Sequence, residues 1–384
     1  MRLAAFACLA ACSTSPAPDH PGAPQLHDLS ILFPLDDRAQ LADYLPASAL
    51  VPETIYDQDF NTSQIPFDEL HVVSFRLDPC FAQIGPVTDD AACKNQLRVV
   101  LQPLSFFQGQ LLADDSAVHV FYSLTRDELL AAVADIVAAR EHAGGSADLG
   151  ALAPHPLIVR DGMDGELAQR LEQVITTYAT TDRLVRFTSM LSANVFGGGT
   201  GEDRSWQLHG VDVAGDTTTS IDIATLPAQT TDETVAASSV PLDANLDPAT
   251  ASSDSIALLA STNAASTASA EQRQAAFDAA LRIENPSFHS PDTIDCASCH
   301  MAEPARDLVG AQLGLAADGN PNAFVADPSL DPSDLRSTTH VLAADGSLNI
   351  HAFSYRGKEP MINARVIHET AANLAYVTAI YGSY

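Results

Sequence analysis

The amino-acid sequence predicts an α+β domain followed by a mainly α-helical module. Between residues 70 and 226 the spacing of apolar residues changes from two, as in strands, to about 3.6, as in helices, and back again. After residue 269 two segments show the helical spacing, whereas residues 229–268 are rich in Thr, Ser, Ala and Asp and read as a linker. We therefore assign the α+β domain to residues 46–228 and the helical module to residues 269–384.

The strands of the first domain are predicted from alternating or consecutive apolar residues with β-branched side chains. Four such runs lie at residues 71–77, 97–101, 118–122 and 184–190. Two further runs, 206–213 and 219–226, flank Ala214-Gly215-Asp216, which has the composition of a hairpin turn. Helices are too few between these strands for a regular βαβ series, so a doubly wound sheet is disfavoured.

Four amphipathic helices are predicted. One begins at Thr125, where Glu128 completes a capping box, and another begins at Ser269, with Gln272 in the same role and an end before Asn285-Pro286. Apolar residues recur three and four positions apart in all four helices: Leu129, Leu130, Val133, Ile136 and Val137; Leu167, Leu171, Val174, Ile175 and Tyr178; Phe277 and Leu281; Ile367, Leu374, Val377 and Tyr381.

The composition is strongly acidic. The formal net charge is −30, and the lysines are Lys94 and Lys358 alone. Such a surface repels phosphate backbones, so we expect no nucleic-acid partner. An electrostatically steered partner protein would present a basic patch, although the same charge would also serve solubility alone.

Residues 1–11 predict a signal peptide, with Met1-Arg2 as a positive start before a short apolar stretch. No later segment offers roughly 20 uninterrupted apolar residues, so we expect no transmembrane helix in the mature protein. The residues before Cys12 resemble the lipobox of bacterial lipoproteins, which implies that Cys12 carries lipid and that residues 12–45 are a tether. On that resemblance the chain is exported and lipid-anchored in the bacterial cell envelope, on the periplasmic side or at the outer membrane. Ordinary secretion is the alternative.

Removal of Cys8 with the signal and lipidation of Cys12 would leave four cysteines, an even number that suits an oxidising compartment. Cys80 and Cys93 would close a short loop between two predicted strands, where a disulfide stabilises the fold by restricting the unfolded chain. That pairing leaves Cys296 and Cys299 for another role.

Cys296-Ala297-Ser298-Cys299-His300 is the one motif in this sequence that specifies chemistry. The two thiols can add to the vinyl groups of one porphyrin edge, and the next residue then lies at the iron. The motif therefore predicts one covalently attached haem c with His300 as the proximal ligand. A thioredoxin-like redox pair, a zinc site and a plain Cys296–Cys299 disulfide are the alternatives. The residues before Cys296 read as loop, and no second close pair of ligands is present, which disfavours the first two.

On this motif, residues 269–384 resemble a mono-haem c-type cytochrome, and the resemblance covers the last third of the chain. It implies a small helical module in which an N-terminal and a C-terminal helix pack around haem, and single-electron transfer as the function. In that family a methionine before the last helix commonly binds the iron, which makes Met361 the first candidate for the distal ligand.

Other distal ligands remain open. His351 or His340 would give bis-histidine ligation with a lower reduction potential, and His289 is a further candidate. An open sixth position would favour ligand binding or sensing. The remaining histidines of strand and loop positions lack metal-ligand spacing and are expected to be structural: His71, His119, His155 and His209.

The sequence thus predicts an envelope-anchored c-type cytochrome with a redox partner protein, and more an electron-transfer protein than an enzyme. No short catalytic motif is present, so no catalytic residue is assigned. Two alternatives stay open: a single-haem, peroxidase-like oxidoreductase, and a non-catalytic surface lipoprotein in which Cys296 and Cys299 form a disulfide.

Overall fold

The computed structural model describes residues 22–59, 65–79, 94–145, 148–194, 203–220, 231–236, 244–246, 254, 258–259, 261–289, 296–336 and 350–381. The predicted signal peptide, the lipid-anchor candidate Cys12, the predicted Cys80–Cys93 pair and His340 lie outside these ranges.

Within the described residues, a large antiparallel sheet dominates the fold. Its strands are β1 (Ser30–Leu32), β2 (Leu70–Asp78), β3 (Asn95–Phe107), β4 (Gln110–Ala113), β5 (Ala117–Leu124), β6 (Leu184–Asn194), β7 (Asp203–Ala214), β8 (Thr217–Ser220), β9 (Thr231–Ala236) and β10 (Ala244–Leu246). Eight strands follow the order β1-β2-β3-β5-β6-β7-β9-β10, while β4 pairs with β3 and β8 with β7. The four strands predicted between residues 71 and 190 are confirmed. A separate hairpin joins β11 (Phe353–Arg356) to β12 (Glu359–Ile362).

The described helices are α1 (Leu26–Leu29), α2 (Glu53–Asp59), α3 (Arg126–His142), α4 (Pro156–Asp161), α5 (Glu166–Tyr178), α6 (Thr262–Thr267), α7 (Ala270–Glu284), α8 (Cys296–Pro304) and α9 (Ala364–Tyr381). Both predicted capping boxes are present, at Thr125 before α3 and at Ser269 before α7. α8 continues into a π-helical segment, Ala305–Gly310. None of the described helices has the length and apolar character needed to cross a membrane.

The sheet has two chemically different faces because successive side chains of a strand point to opposite sides. One cross-strand row consists of apolar side chains that are fully buried: Phe75, Val99, Val120, Phe187 and Val211. These residues belong to the main hydrophobic core, which also contains the apolar faces of α3 and α5. This face is the one that the alternating pattern of the sequence predicts.

The opposite face is polar, and the C-terminal part of the chain covers it. Ser74 of β2 donates a hydrogen bond to the carbonyl oxygen of Phe353, 2.7 Å away. Gln102 of β3 exchanges two hydrogen bonds of 2.8 Å with the backbone of Tyr355. Arg76 lies 3.0 Å from the carboxylate of Glu369 on α9. The hairpin and α9 are therefore held on the sheet by specific polar contacts.

These contacts correct the predicted fold class. The last third of the chain does not form a self-contained, mainly helical module: it contains the β11–β12 hairpin, and apolar residues of that hairpin and of α9 belong to the main core. A second core cluster joins α7 and α8 to Met190 of β6 and Leu208 of β7. The spacing of apolar residues in α9 correctly predicted which face of the helix is buried. It did not predict that a sheet packs against that face.

Two segments that the sequence predicts to be a tether and a linker contain strands and a helix in the structure. Within residues 12–45, predicted as a tether, β1 pairs with β2 at the sheet edge, and α1 is buried. Within residues 229–268, predicted as a linker, β9 and β10 extend the sheet beyond β7. Short strands of mixed polarity have no strong periodic signal of their own, and pairing with a neighbour decides their structure.

Candidate functional site

The cysteines and histidine of the Cys296–His300 motif lie at the start of α8. Cys299 and His300 lie three and four positions after Cys296, and residues at these spacings share one face of a helix. All three side chains line one pocket. The next residue, Met301, points elsewhere and is fully buried in the second core cluster.

The pocket lies between the C-terminal segment and the polar face of the sheet. It includes about 660 Å³ of space between atoms, open solvent included. The sheet contributes Arg76, Arg98, His119, Phe121, Arg186 and Thr188. The C-terminal segment contributes Cys296, Cys299, His300, Ala352, Asn363, Arg365, Val366 and Glu369.

The register of the sheet explains why four of its strands contribute to one wall. Arg76, Arg98, Phe121 and Arg186 are directly opposite one another on β2, β3, β5 and β6. His119 and Thr188 form the next pair on the same face. Because side chains two apart on a strand share a face, these residues make a continuous surface toward α8.

His300 is held in one tautomer. Its Nδ1 lies 2.6 Å from the carbonyl oxygen of Ile350. A carbonyl oxygen only accepts hydrogen bonds, so Nδ1 carries the proton and Nε2 carries the lone pair. Burial lowers the pKa of His300 to about 4, which keeps the ring neutral at physiological pH. This is the form of imidazole that binds a metal, with the second ring nitrogen fixed by a backbone oxygen.

His119 faces His300 across the pocket. The two ring centroids are 6.3 Å apart and the ring planes are inclined by 37°. Burial, followed by the charges of His300 and Arg98, lowers the pKa of His119 well below its usual value. Two neutral imidazoles, one from β5 and one from α8, therefore oppose each other inside the pocket.

The pocket concentrates positive charge in a chain that has 49 acidic residues and 19 basic ones. Its basic residues are Arg76, Arg98, Arg186 and Arg365. Asp78 lies 3.0 Å from both Arg76 and Arg98. The Nε atoms of these two arginines are nevertheless buried and have no hydrogen-bond acceptor in the part of the chain that the structure describes.

Glu369 is the carboxylate at the base of this arginine cluster. It lies 2.6 Å from Arg365 and 3.0 Å from Arg76. Burial on its own would raise the pKa of Glu369, but the adjacent guanidinium groups hold it well below its usual range. Glu369 is therefore ionised and fixes Arg365 and Arg76 in place, while the two buried Nε–H groups stay available to an anionic group.

Met361, the first candidate for the distal ligand, is buried on β12 opposite Ser354. It is not among the residues that line the pocket. Met361 as the distal ligand therefore stays a prediction, and the helical module that the resemblance placed around it is not formed.

The histidine alternatives are also engaged elsewhere. His351 is buried, with Nε2 2.6 Å from Asp115 and Nδ1 2.8 Å from the hydroxyl of Ser354. His289 Nε2 lies 2.7 Å from Asp254. Neither residue lines the pocket as described. Both would have to give up hydrogen bonds to a buried or half-buried partner in order to bind iron.

His119 is the pocket residue that sequence reasoning assigned to a structural role. A signal for it exists in the strands themselves. Each of four strands carries a basic residue at a position that interrupts its apolar run: Arg76, Arg98, His119 and Arg186. Such residues are expensive to bury without a partner, so their recurrence points to a shared polar site. The partner surface, however, is not visible in the strand sequences.

No protein-family model, curated protein or solved structure matches this chain. Among the residues that the structure describes, no group of three or more His, Cys, Asp or Glu side chains could hold a metal ion by themselves. The pocket instead combines two thiols, two opposed imidazoles, an arginine cluster and the apolar side chains of Phe121 and Val366.

Proposed function

We propose that this chain is a c-type cytochrome that carries one haem and transfers single electrons. Haem is attached through Cys296 and Cys299, and His300 binds the iron. The observation that supports this most strongly is that the two thiols and the imidazole share one face of α8 and line one pocket, together with apolar side chains and a second imidazole. The haem site is then an interface between the sheet and α8, and not the interior of a separate helical module.

The residues present fit the chemistry of haem. Phe121, Val366 and Ala352 offer apolar surface to a flat macrocycle. Haem also carries two propionate carboxylates, and the buried Nε–H groups of Arg76 and Arg98 lack an acceptor in the described chain. Arginine pairs with carboxylates through planar, charge-assisted hydrogen bonds. These arginines are the residues that would hold the propionates.

Each protein group has a defined part in electron transfer. Ile350 orients the His300 imidazole through its carbonyl oxygen, and Asn363, Arg365, Val366 and Glu369 form one wall of the pocket. When bound, haem supplies a couple that exchanges one electron. Nearby guanidinium groups favour the reduced state of such a couple because reduction removes a positive charge, and Glu369 opposes them.

We further propose that the chain is a bacterial envelope lipoprotein anchored through Cys12 and that its redox partner presents a basic patch to the acidic surface. Support comes from the lipobox-like residues before Cys12 and from the net charge of −30. Expressed in a bacterium, the chain should incorporate labelled fatty acid and sediment with membranes. Cys12→Ala should lose both properties, and a soluble, unlabelled wild type would contradict the anchor.

The attachment is tested by intact mass and the reduced absorption spectrum of chain expressed with a haem-attachment system. The wild type should gain the mass of one haem and show sharp reduced bands, and Cys296→Ala/Cys299→Ala should lose both. Cys80→Ala/Cys93→Ala removes the other predicted cysteine pair and is the matched control, which should keep the haem. An unmodified wild-type mass would leave the envelope lipoprotein without haem as the better interpretation.

A further inference from the structure

The position of His119 assigns it a role in the proposed haem site. We infer that His119 of β5 is the second axial ligand of the iron, so that haem is bound by two histidines, one from the sheet and one from α8. This inference rests on the proposed attachment at Cys296 and Cys299 and deepens it, because it names a ligand that neither the motif nor the cytochrome resemblance supplies.

The distance between the two rings is the first support. Metal–imidazole nitrogen bonds are about 2 Å long, so two imidazoles that bind one metal from opposite sides have ring centroids roughly 6 Å apart. The centroids of His119 and His300 are 6.3 Å apart. Both rings line the pocket that also contains the attachment cysteines. This separation suits a metal between the two rings.

The hydrogen bonding of the histidines is the second support. Nδ1 of His300 is bound to Ile350, which leaves its Nε2 lone pair for the iron. Within the described chain the ring of His119 makes no hydrogen bond, and its ring contact is with His300. The ring is half-buried and borders the pocket, so one of its nitrogens can bind a metal without giving up a hydrogen bond. His351, in contrast, has both ring nitrogens engaged.

The position of His119 on the sheet is the third support. β5 pairs with β3 on one side and β6 on the other, so it lies in the middle of the sheet and its backbone is held on both edges. Thr188 and Val100 are the cross-strand neighbours of His119. A ligand on such a strand is rigidly placed, which favours a preformed site.

The test is the spin state and potential of the haem-loaded chain in three variants. Wild-type ferric protein should be low-spin and six-coordinate. His119→Ala should become high-spin, and added imidazole should restore the low-spin spectrum by occupying the vacated position. His71→Ala, a histidine of β2 whose Nδ1 contacts the Glu69 carbonyl and which is outside the pocket, is the matched control and should keep the wild-type spectrum.

His119→Met keeps the inference testable if the alanine variant does not fold. A methionine ligand raises the potential of a histidine-ligated haem. This variant should therefore show a higher midpoint potential and, in the reduced state, a methionine methyl resonance shifted far upfield by the haem ring current. Neither feature should occur in the control.

The outcomes separate the two proposals. A high-spin wild type with covalent haem, or a low-spin His119→Ala spectrum identical to wild type without imidazole, would overturn the ligand assignment and leave the cytochrome proposal standing. An unchanged potential and no shifted methyl in His119→Met would do the same. A wild-type chain without covalent haem would overturn the proposed function and the ligand assignment with it.

Discussion

Histidine side chains in this chain differ in chemistry according to what surrounds each ring. His300 has one nitrogen fixed on a backbone carbonyl and the other ready to accept. His351 has both nitrogens bonded to side chains. His155 has a buried Nδ1 without a partner in the described chain and lies edge-on to His27, with ring centroids 5.3 Å apart. The same residue type thus serves as a ligand candidate, a structural link and a pH-sensitive site.

His155 makes the stability of the fold depend on pH. Burial, followed by the charges of His27 and Arg140, lowers the pKa of His155 to about 3 in the folded state, against about 6.5 in the unfolded chain. The unfolded state therefore takes up the proton first as the pH falls. The free energy of unfolding is unaffected by His155 above about pH 6.5 and falls as the pH drops below that value. By pH 5 the loss from this residue is about 2 kcal/mol.

The measurement is the free energy of unfolding at pH 7.5 and at pH 5 for the wild type and for His155→Gln. The variant should lose less stability on acidification than the wild type, whatever its stability at pH 7.5. His142→Gln changes an exposed histidine on α3 and should follow the wild type. Equal acid sensitivity in all three proteins would rule out His155 as the source.

At the scale of elements, the hairpin of β11 and β12 depends on one buried amide. Gln102 of β3 is completely buried, and its Nε2 donates to the carbonyl oxygens of Asp114, Ser116 and Tyr355. Its Oε1 accepts from the backbone nitrogen of Tyr355. One side chain therefore connects the turn before β5 to the C-terminal hairpin, and so fixes one border of the pocket region.

Gln102→Leu should destabilise the fold by roughly 3 kcal/mol, because it leaves several buried backbone groups without partners while keeping a similar volume. Denaturant unfolding of the full chain measures the effect. Gln110→Leu changes an exposed glutamine on β4 and should alter stability by no more than about 0.5 kcal/mol. Equal, small effects of both substitutions would show that Gln102 does not hold the hairpin.

The four longest of the described helices were predictable from the sequence, the shorter ones were not, and the sheet was predictable only in part. Capping boxes and apolar spacing are local, and they located α3 and α7 at Thr125 and Ser269. Strand order is a long-range property. Nothing near residues 30–32 indicates that they pair with β2, and nothing in β2, β3, β5 and β6 indicates that residues from 350 onward will cover their polar face.

The candidate site divides in the same way. Cys296, Cys299 and His300 were found because all three lie within one motif of five consecutive residues. His119 and Arg76 were missed because the register of the sheet places them in the pocket, beside residues that are far from them in the sequence. Met361 was favoured for its place before the last helix, but the hairpin turns that residue into a core position.

For the whole molecule, the pocket joins the N-terminal and C-terminal parts of the chain. Its wall on the sheet comes from residues 76–188 and its other wall from residues 296–369. The two walls also share the main core. A haem bound there would contact both, so the two parts that the sequence suggested as separate domains would act as one redox unit.

The most direct test of this account is peptide mass analysis of the chain after expression with a haem-attachment system and proteolytic digestion. One haem should be found on the peptide that contains Cys296 and Cys299, linked to both sulfur atoms, with all other cysteine-containing peptides free of it. Recovery of that peptide without haem, under conditions that mature an established c-type cytochrome, would contradict the central claim.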